Sequence, residues 1–434
     1  MIQKKVNDNK KQILLDVIVC LYSSLMVLYQ LIPQILTIVI SVLFYGYLYL
    51  KLSNDYDFIS SLSIMSVIAI PTSTISVLGS SYSSLPLTWY NILIIIAFGE
   101  ICLVYGLRKK YIIPIILFSM YGFMICISTN IVSDALKQYL MIILFFFSFF
   151  IGDYMQENVK SSLNTTLKKY YFLGVFSMAL QVILQKIFIS YTGTIVGHYA
   201  TMGAKRVAYA GLMGDYSFTT LYLATGFMMI FIWYINTNKI SFVVFCIVEI
   251  LLLYAILVVS SRTGLISLMF TLALYTICNI KKINGKYLVI LFMGLAIFPA
   301  LLSKLMESRG GQALLDTSGR DSNYIESIEL WRNKVAFGYG LGLDNLYNST
   351  GLNVPHNLVI QYLIQIGLVG TILFCIPLIV FIKDNLLNRN KMNWLFWLVL
   401  IGSMFIPDIV SSRFLYGIVL ICMTDKCNFQ GEEK

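Results

Sequence analysis

The feature that most constrains this chain is a succession of apolar runs, most of them long enough to cross a bilayer. The hydrocarbon core of a membrane takes about 20 apolar residues in a helix. The pattern predicts an all-α polytopic membrane helix bundle of 12–14 transmembrane helices, because two runs are barely separated and two are short. The runs lie near 12–32, 33–50, 58–79, 89–107, 111–130, 139–152, 170–190, 217–235, 240–259, 264–280, 287–303, 357–382, 392–408 and 412–424.

Composition also points to a membrane protein and excludes several other classes of protein. Of the 434 residues, 58% are apolar and only 12% are charged, about half the charged fraction of soluble domains. So little polar surface cannot cover so much apolar volume. A water-soluble enzyme, a disordered chain, a coiled coil and a nucleic-acid-binding domain are therefore excluded.

The basic residues predict the orientation of the spans. If the amino terminus is cytoplasmic, about two thirds of the 31 Lys and Arg residues fall in segments on that side, as the positive-inside bias requires. We therefore expect a protein of the cytoplasmic (inner) membrane with both termini in the cytoplasm. Residues 1–434 would form a single integral membrane domain with an outer loop at 191–216, a long extracytoplasmic loop at 304–356 and C-terminal spans at 357–434.

Several cations lie on the predicted outer side, against the insertion bias. Part of them is explained by long loops, which cross regardless of charge. Arginine offers a planar fork of donors that matches phosphate oxygens, so Arg206 in the first outer loop and Arg262 in a tight outer hairpin are candidate anion-binding residues. For Arg262, simple placement of the guanidinium at the membrane boundary is the alternative.

His356 is the candidate proton acceptor. It stands in Pro355-His356-Asn357 at the start of a span, where Asn357 can cap the helix. On a straight helix Gly367 would lie on the same face, about 16 Å further along. A neutral imidazole at a helix amino terminus suits a general base, whereas an interfacial hydrogen-bonded histidine is the plainer interpretation. The other histidine, His198, falls in the first outer loop, which we expect to be mobile.

Other catalytic motifs are missing from the sequence. There is no GxxxxGKS/T phosphate loop and no HExxH motif or paired-aspartate cluster, so we expect neither ATP hydrolysis nor a bound metal or other cofactor. The glycine run at 338–342 is interpreted as an outer loop whose backbone approaches a ligand, or as plain turn chemistry. Glu100 and Glu249 lie near the middles of spans, where carboxylates are costly and often functional.

The spacing of these residues resembles the O-antigen polymerase and O-antigen ligase superfamily, which includes the Wzy-type polymerases. The most specific element is His356-Asn357, nine residues, then a Gly-x-x-Gly at Gly367 and Gly370. The likeness is carried further by Arg206 with Gly211, the turn at 261–264, the Ser-Gly-Arg at 318–320 with Trp331, and the glycine run. Gly214-Asp215-Tyr216 departs from the family's usual turn after the first arginine.

The resemblance implies glycosyl transfer on the outer face of the membrane. The donor would be an undecaprenyl-diphosphate-linked oligosaccharide, with membrane lipid, a chain-length regulator and a flippase of the same pathway as partners. Arg206 and Arg262 would stabilise the leaving diphosphate and His356 would take the acceptor proton, without a metal. Arg320, Arg309 and Asn357 would bind substrate.

Three functions stay open. The first is a polymerase of O-antigen or capsular polysaccharide, which we favour, and the second is an O-antigen ligase that transfers the glycan to lipid A core. The third is a flippase or other transporter of lipid-linked oligosaccharides that uses Glu100 or Glu249. The long 304–356 loop, which a carrier does not need, disfavours it.

Overall fold

The structure is a computed structural model that describes residues 2–79, 87–158, 162–202, 206–237, 240–280, 319–387 and 390–425, with a few isolated residues between 285 and 307. The side chains of residues 2–9, Met202 and Arg206 are outside this description. Within it the chain forms fifteen helices and one β-hairpin. The helices are α1 (Ile2–Leu25), α2 (Gln34–Leu52), α3 (Phe58–Ala69), α4 (Trp89–Glu100), α5 (Lys109–Ile127), α6 (Val132–Asn158), α7 (Ser162–Thr192), α8 (Tyr216–Asn236), α9 (Phe242–Val259), α10 (Arg262–Cys278), α11 (Arg320–Asn333), α12 (Leu343–Thr350), α13 (Leu358–Phe381), α14 (Asn393–Gly402) and α15 (Arg413–Thr424).

The apolar helices confirm the predicted class of fold, a polytopic all-α membrane protein. Eight described helices are long and apolar enough to cross a membrane, and five shorter ones are also apolar. Each coincides with a predicted span. The predicted span at 287–303 lies outside the described residues, apart from a few isolated positions. The span predicted at 392–408 was too long, because α14 ends at Gly402 and an irregular segment follows it.

The helices approach one another closely where the sequence places glycine. A Cβ on Gly264 in α10 would lie 2.3 Å from the Thr220 carbonyl oxygen of α8, and one on Gly226 would lie 2.2 Å from Val175 in α7. Small residues let membrane helices pack in this way, where lipid supplies no hydrophobic drive for association. The resulting contacts place α8 in the interior of the bundle, where most of its side chains are buried.

Charged contacts cluster at one end of the bundle. Lys169 Nζ lies 2.7 Å from Asp16, and Lys110 Nζ lies 2.9 Å from Asp153 and 3.3 Å from Asp384. All belong to, or adjoin, segments predicted to be cytoplasmic. The segments predicted to be outside meet one another at the opposite end, as described below. The two-ended arrangement agrees with the charge map, and which end faces the cytoplasm stays a prediction.

Helix α13 is broken in its middle. Gly367 has φ +64° and ψ −174°, far from helical values. The straight-helix placement of His356 and Gly367 on one face was therefore wrong: His356 precedes the helix, and the helix changes course at Gly367. A side chain is excluded there, because a Cβ would lie 2.2 Å from the Ala336 carbonyl oxygen.

Candidate active site

His356 is held in the turn that leads into α13. Asn357 is the N-cap of that helix, and its Oδ1 accepts hydrogen bonds from the Val359 and Ile360 amides at 3.0 and 3.2 Å. Satisfying these otherwise unpaired donors is what an Asn N-cap does. The capping expected of Asn357 is confirmed. Its carboxamide oxygen is thereby occupied, so that substrate binding by Asn357 would fall to its Nδ2, which lies 3.7 Å from the Met404 sulfur.

Two further segments fix the backbone around His356. The Tyr324 hydroxyl, on α11, donates a 2.7 Å hydrogen bond to the His356 carbonyl oxygen. The Leu358 amide donates to the Ser403 carbonyl oxygen at 3.0 Å. The histidine is thus positioned from one side by the helix of the long loop and from the other by the segment that follows α14.

The environment of the imidazole keeps it neutral. Burial and the nearby Arg320 charge lower the pKa of His356 from 6.5 to about 4, with a backbone hydrogen bond at Phe405 opposing the shift. His356 Nδ1 is buried and has no hydrogen-bond partner among the described residues. A neutral, incompletely paired imidazole nitrogen is able to accept a proton.

Arg320 is brought close to His356, although 36 residues separate them in the sequence. It is the first residue of α11, after Gly319 in the left-handed conformation. Its charge also lowers the pKa of Tyr324, against the larger opposing effect of burial. Arg309, its predicted companion in substrate binding, lies outside the described residues.

Arg262 occupies the tight hairpin that the sequence predicts between α9 and α10. Ser260 takes the left-handed conformation with φ 60°, and Arg262 is the first residue of α10. The guanidinium does not extend freely at the membrane boundary, because Arg262 is only 8% exposed. The adjoining Ser261 hydroxyl lies 3.4 Å from that of Ser217 on α8.

The predicted outer loop at 191–216 is more ordered than expected. Its strands β1 (Tyr199–Met202) and β2 (Arg206–Tyr209) pair antiparallel. Arg206 begins β2, and its side chain lies outside what the structure describes. Helix α7 anchors the hairpin, because Gln185 Nε2 donates hydrogen bonds to the Val196 and His198 carbonyl oxygens at 2.7 and 2.9 Å.

His198 was wrongly assigned to a mobile loop. Its amide donates to the Gly211 carbonyl oxygen at 2.8 Å, and its carbonyl accepts from the Ala210 amide at 2.9 Å. Burial, and after it the charge of Arg413, lower the pKa of the His198 imidazole. The second histidine therefore belongs to the structured end of the bundle.

Sequence reasoning missed the residues of the segment between α14 and α15. Arg413 is 6% exposed and starts α15. Asp408 has φ 52°, and its Oδ1 accepts a 3.0 Å hydrogen bond from Gln138 Nε2. Burial raises the pKa of Asp408 to about 6, although the Arg413 charge opposes this. The available signal was an aspartate and an arginine within an otherwise apolar C-terminal stretch.

A buried amide network ties Asp408 to α6 and α13. Gln138 and Gln365 exchange hydrogen bonds through their side chains, both 3.1 Å long. Gln361 Nε2 donates to Gln365 Oε1 at 3.0 Å, and its Oε1 accepts from the Asp408 amide at 2.6 Å. Gln138 Oε1 also accepts from the Gly342 amide at 2.7 Å. Fully paired networks of this kind fix a single geometry in a low-dielectric interior.

The glycine run at 338–342 approaches the protein itself, which corrects the ligand-loop interpretation. Its glycines have positive φ. A Cβ on Gly338 would lie 2.6 Å from the Gln365 carbonyl, and one on Gly342 would lie 2.4 Å from Asp134. The Tyr339 and Gly340 amides donate to carbonyl oxygens of Ile364 and Gln365 at 2.8 and 2.7 Å. The glycine run thus donates hydrogen bonds to carbonyl oxygens of α13 that the break in the helix leaves without helical partners.

Within the described part of the chain, no group of three His, Cys, Asp or Glu side chains is arranged to hold a metal ion. The residues that do meet at this end of the bundle include cations, aromatic rings and side-chain amides, together with the carboxyl groups of Asp408 and Asp134. Such a set can bind an anion, hold sugar hydroxyls and accept a proton at His356.

The comparisons with known proteins bear on the same region. Residues 247–375 match a family model described as O-antigen ligase, and no curated protein matches the chain. The matched range includes Arg262, Arg320 and His356 and covers less than a third of the chain. Members of this family are enzymes of the glycosyltransferase type. The match confirms the resemblance seen in the sequence: residues 247–375 are similar to the O-antigen ligase family, which is consistent with the O-antigen polymerase and ligase superfamily.

Proposed function

We propose that this protein polymerises undecaprenyl-diphosphate-linked oligosaccharide repeat units on the outer face of the cytoplasmic membrane. The observation that carries the proposal is the buried, neutral His356, whose Nδ1 has no hydrogen-bond partner among the described residues and which lies close to Arg320, inside the range that matches the O-antigen ligase family. An enzyme that moves a glycan from one lipid-linked unit to another needs such an acceptor of protons next to groups that bind an anion.

The reaction is a displacement at the anomeric carbon of the donor sugar. The acceptor hydroxyl oxygen forms a new bond to that carbon, while the bond from the carbon to the diphosphate oxygen breaks with its electron pair. His356 takes the hydroxyl proton, and undecaprenyl diphosphate leaves. A single displacement inverts the anomeric configuration. No other energy source is required, because the activated bond is already present in the donor.

The arginines would act on the leaving group. Negative charge develops on the diphosphate as the bond breaks, and preorganised cations in a site with little water stabilise it most. The buried position of Arg262 supports this role. We assign Arg206 the same role from the sequence. Arg320, close to His356, would bind a sugar or phosphate group of the substrates, as would Arg309.

Two alternative functions, a ligase and a flippase, would use different features of this chain. A ligase would use the same chemistry with a lipid A core as acceptor, and the family match is consistent with both functions. A flippase would use an intramembrane carboxylate. Glu249 is 5% exposed, and neither carboxylate oxygen has a hydrogen-bond partner among the described residues. A protonated core residue satisfies the same observation, so Glu249 does not favour the flippase.

Deletion of the gene separates the three functions. Loss of a polymerase leaves a single repeat unit on the final acceptor and no long polymer. Loss of a ligase leaves full-length polymer on the carrier lipid, and loss of a flippase traps single units on the cytoplasmic leaflet. Glycan sizing with leaflet-specific labelling measures all three. Long polymer that persists on the carrier contradicts the proposal.

A further inference from the structure

The long loop predicted at 304–356 does not stay outside the bundle. Its residues 335–340 run beside the break in α13 and pair with it. The Leu368 and Val369 amides donate to the Val335 and Ala336 carbonyl oxygens at 2.8 and 3.2 Å. These residues, together with the Tyr339 and Gly340 amides that bond to α13, form what we call the paired segment, residues 335–340.

The ends of two spanning helices locate this segment. Leu368 lies ten residues, about 15 Å, after the start of α13. That start is level with the contact between Tyr324 and His356 and lies outside the hydrocarbon core, so the depth is measured from the end of α5. Phe337 stacks on Tyr121 of α5, with ring centroids 6.4 Å apart. Tyr121 lies six residues before the end of α5 at Ile127, about 9 Å along the helix. Helix α5 has 19 residues and matches the thickness of a hydrocarbon core.

The side chains at this depth are apolar and uncovered. Phe337 is 60% exposed and Val335 is 41% exposed. They continue the exposed apolar face of α5, which includes Met120 and Met124, and that of α13, which includes Leu368. A face that continues the lipid-facing side of two spanning helices is itself covered by lipid.

The flanking sequence has the character of a membrane interface. Trp331, Arg332 and Lys334 immediately precede Val335, and Trp and basic residues are enriched at the headgroup level. The Trp331 indole donates to the Val335 carbonyl oxygen at 3.2 Å. Irregular backbone is tolerated at membrane depth where its polar groups are paired within the protein, as the paired segment is with α13.

We propose that Val335 and Phe337 are embedded among the acyl chains of the leaflet on the His356 side. The loop is thereby a re-entrant element anchored in the bilayer. Because α11 directly precedes the paired segment, the anchor also sets the level of Tyr324 and Arg320 above the membrane. The proposal concerns depth and stands independently of the reaction.

Spin labelling measures this depth. Single cysteines at Val335 and Phe337, in a chain whose eight native cysteines are replaced, carry a nitroxide in lipid vesicles. Collision with oxygen, which concentrates in the acyl chains, is compared with collision with a water-soluble nickel chelate. Met120→Cys and Met124→Cys provide the lipid-facing reference, and Asn348→Cys on exposed α12 provides the aqueous reference. The comparison does not depend on the direction in which the protein is inserted into the vesicles.

We expect Val335→Cys and Phe337→Cys to resemble the α5 references, with oxygen collisions dominant. Nickel access as high as at Asn348→Cys would place the segment in water and overturn the proposal. Low access to both reagents would mean that protein, such as a second copy of this chain, covers the face, and would overturn it equally. Both side chains are exposed, and Val335→Cys leaves the stacking of Phe337 on Tyr121 in place, so the Val335 label reports the depth without disturbing that contact.

Discussion

His356 combines three properties that a general base requires. It is neutral, because burial and Arg320 hold its pKa at about 4. Its carbonyl oxygen is fixed by Tyr324, and the amide of Leu358, two residues further on, is fixed by Ser403. Its Nδ1 has no hydrogen-bond partner among the residues that the structure describes. The sequence suggested the role from the position of His356 at a helix start, but it could not show Tyr324 or Ser403, since both reach the site only through the tertiary fold.

The contact from Tyr324 predicts a positioning effect. Tyr324→Phe removes the 2.7 Å hydrogen bond to the His356 carbonyl, worth about 0.5–1.5 kcal/mol. We expect kcat to fall while KM changes little, because the base moves and the substrate contacts stay. Steady-state assays in proteoliposomes measure both. Tyr347→Phe, at a 53% exposed position, is the control. An effect on KM alone would show that Tyr324 contacts substrate instead.

The charge of Arg320 predicts a shift in the pH profile. A base is active when deprotonated, so activity falls as the pH drops through its pKa. Burial and then the Arg320 charge lower the His356 pKa. Arg320→Gln removes the second of these, and we expect the acid limb of kcat/KM, which reports the free enzyme, to move upwards from near pH 4. Arg332→Gln, further along α11, should leave it in place. If the profile of the unmodified protein instead has its acid limb near pH 6, and Asp408→Asn abolishes that limb, Asp408 is the titrating group.

Arg262 predicts a graded loss of activity. Arg262→Ala should abolish polymer, and Arg262→Lys should restore only part of it, because Lys cannot form the bidentate fork. Glycan sizing at matched protein level measures this. A fully active Arg262→Lys variant would mean that a point charge suffices and that the fork is not used.

Among the elements, the broken helix α13 departs most from what its sequence predicts. An apolar run of this length reads as one continuous span, and a single glycine in it is normally a packing site. The break arises because residues 335–340 supply hydrogen-bond partners on both sides of Gly367. The hydrophobic periodicity of one run does not predict that a distant segment of the chain will pair with it.

Gly367→Ala tests the break. The substitution imposes about 1–3 kcal/mol of backbone strain, because φ +64° with ψ −174° is a conformation essentially restricted to glycine, and overpacking against Ala336 adds about 1–3 kcal/mol. We expect a lower midpoint of thermal unfolding in detergent. Gly46→Ala in α2, where a Cβ meets nothing within 4 Å, should be neutral or slightly stabilising. Equal midpoints for the two variants would show that the Gly367 conformation is not required.

For the molecule as a whole, the predicted spans and their helices agree closely, because hydrophobicity alone decides which segments cross a membrane. The site was less predictable. Arg262 and His356 were predicted as site residues from spacing within the chain, whereas the contacts of Asp408, Arg413 and the glutamine network join distant segments. The order of the first outer loop was underestimated for the same reason, because the sequence around the paired strands β1 and β2 has no strong local pattern that predicts a hairpin.

The charge map predicts the sidedness of the molecule. Cysteine introduced at Ser322 or Ser349, in the predicted outer loop, should react with a membrane-impermeant thiol reagent in spheroplasts. Cysteine at Ser161, predicted to be cytoplasmic, should react only after permeabilisation. Labelling of Ser161→Cys with protection of the other two would invert the map and move the proposed site to the cytoplasm.

The central claim is that His356 accepts a proton in glycosyl transfer from a lipid-diphosphate donor. The most direct measurement is the chain length of glycan made by purified protein in proteoliposomes supplied with undecaprenyl-diphosphate-linked repeat units. We predict long polymer with the unmodified protein and a rate about 10²- to 10⁴-fold lower with folded His356→Ala, the usual worth of general-base catalysis. Polymer formed by His356→Ala at the unmodified rate would contradict the account.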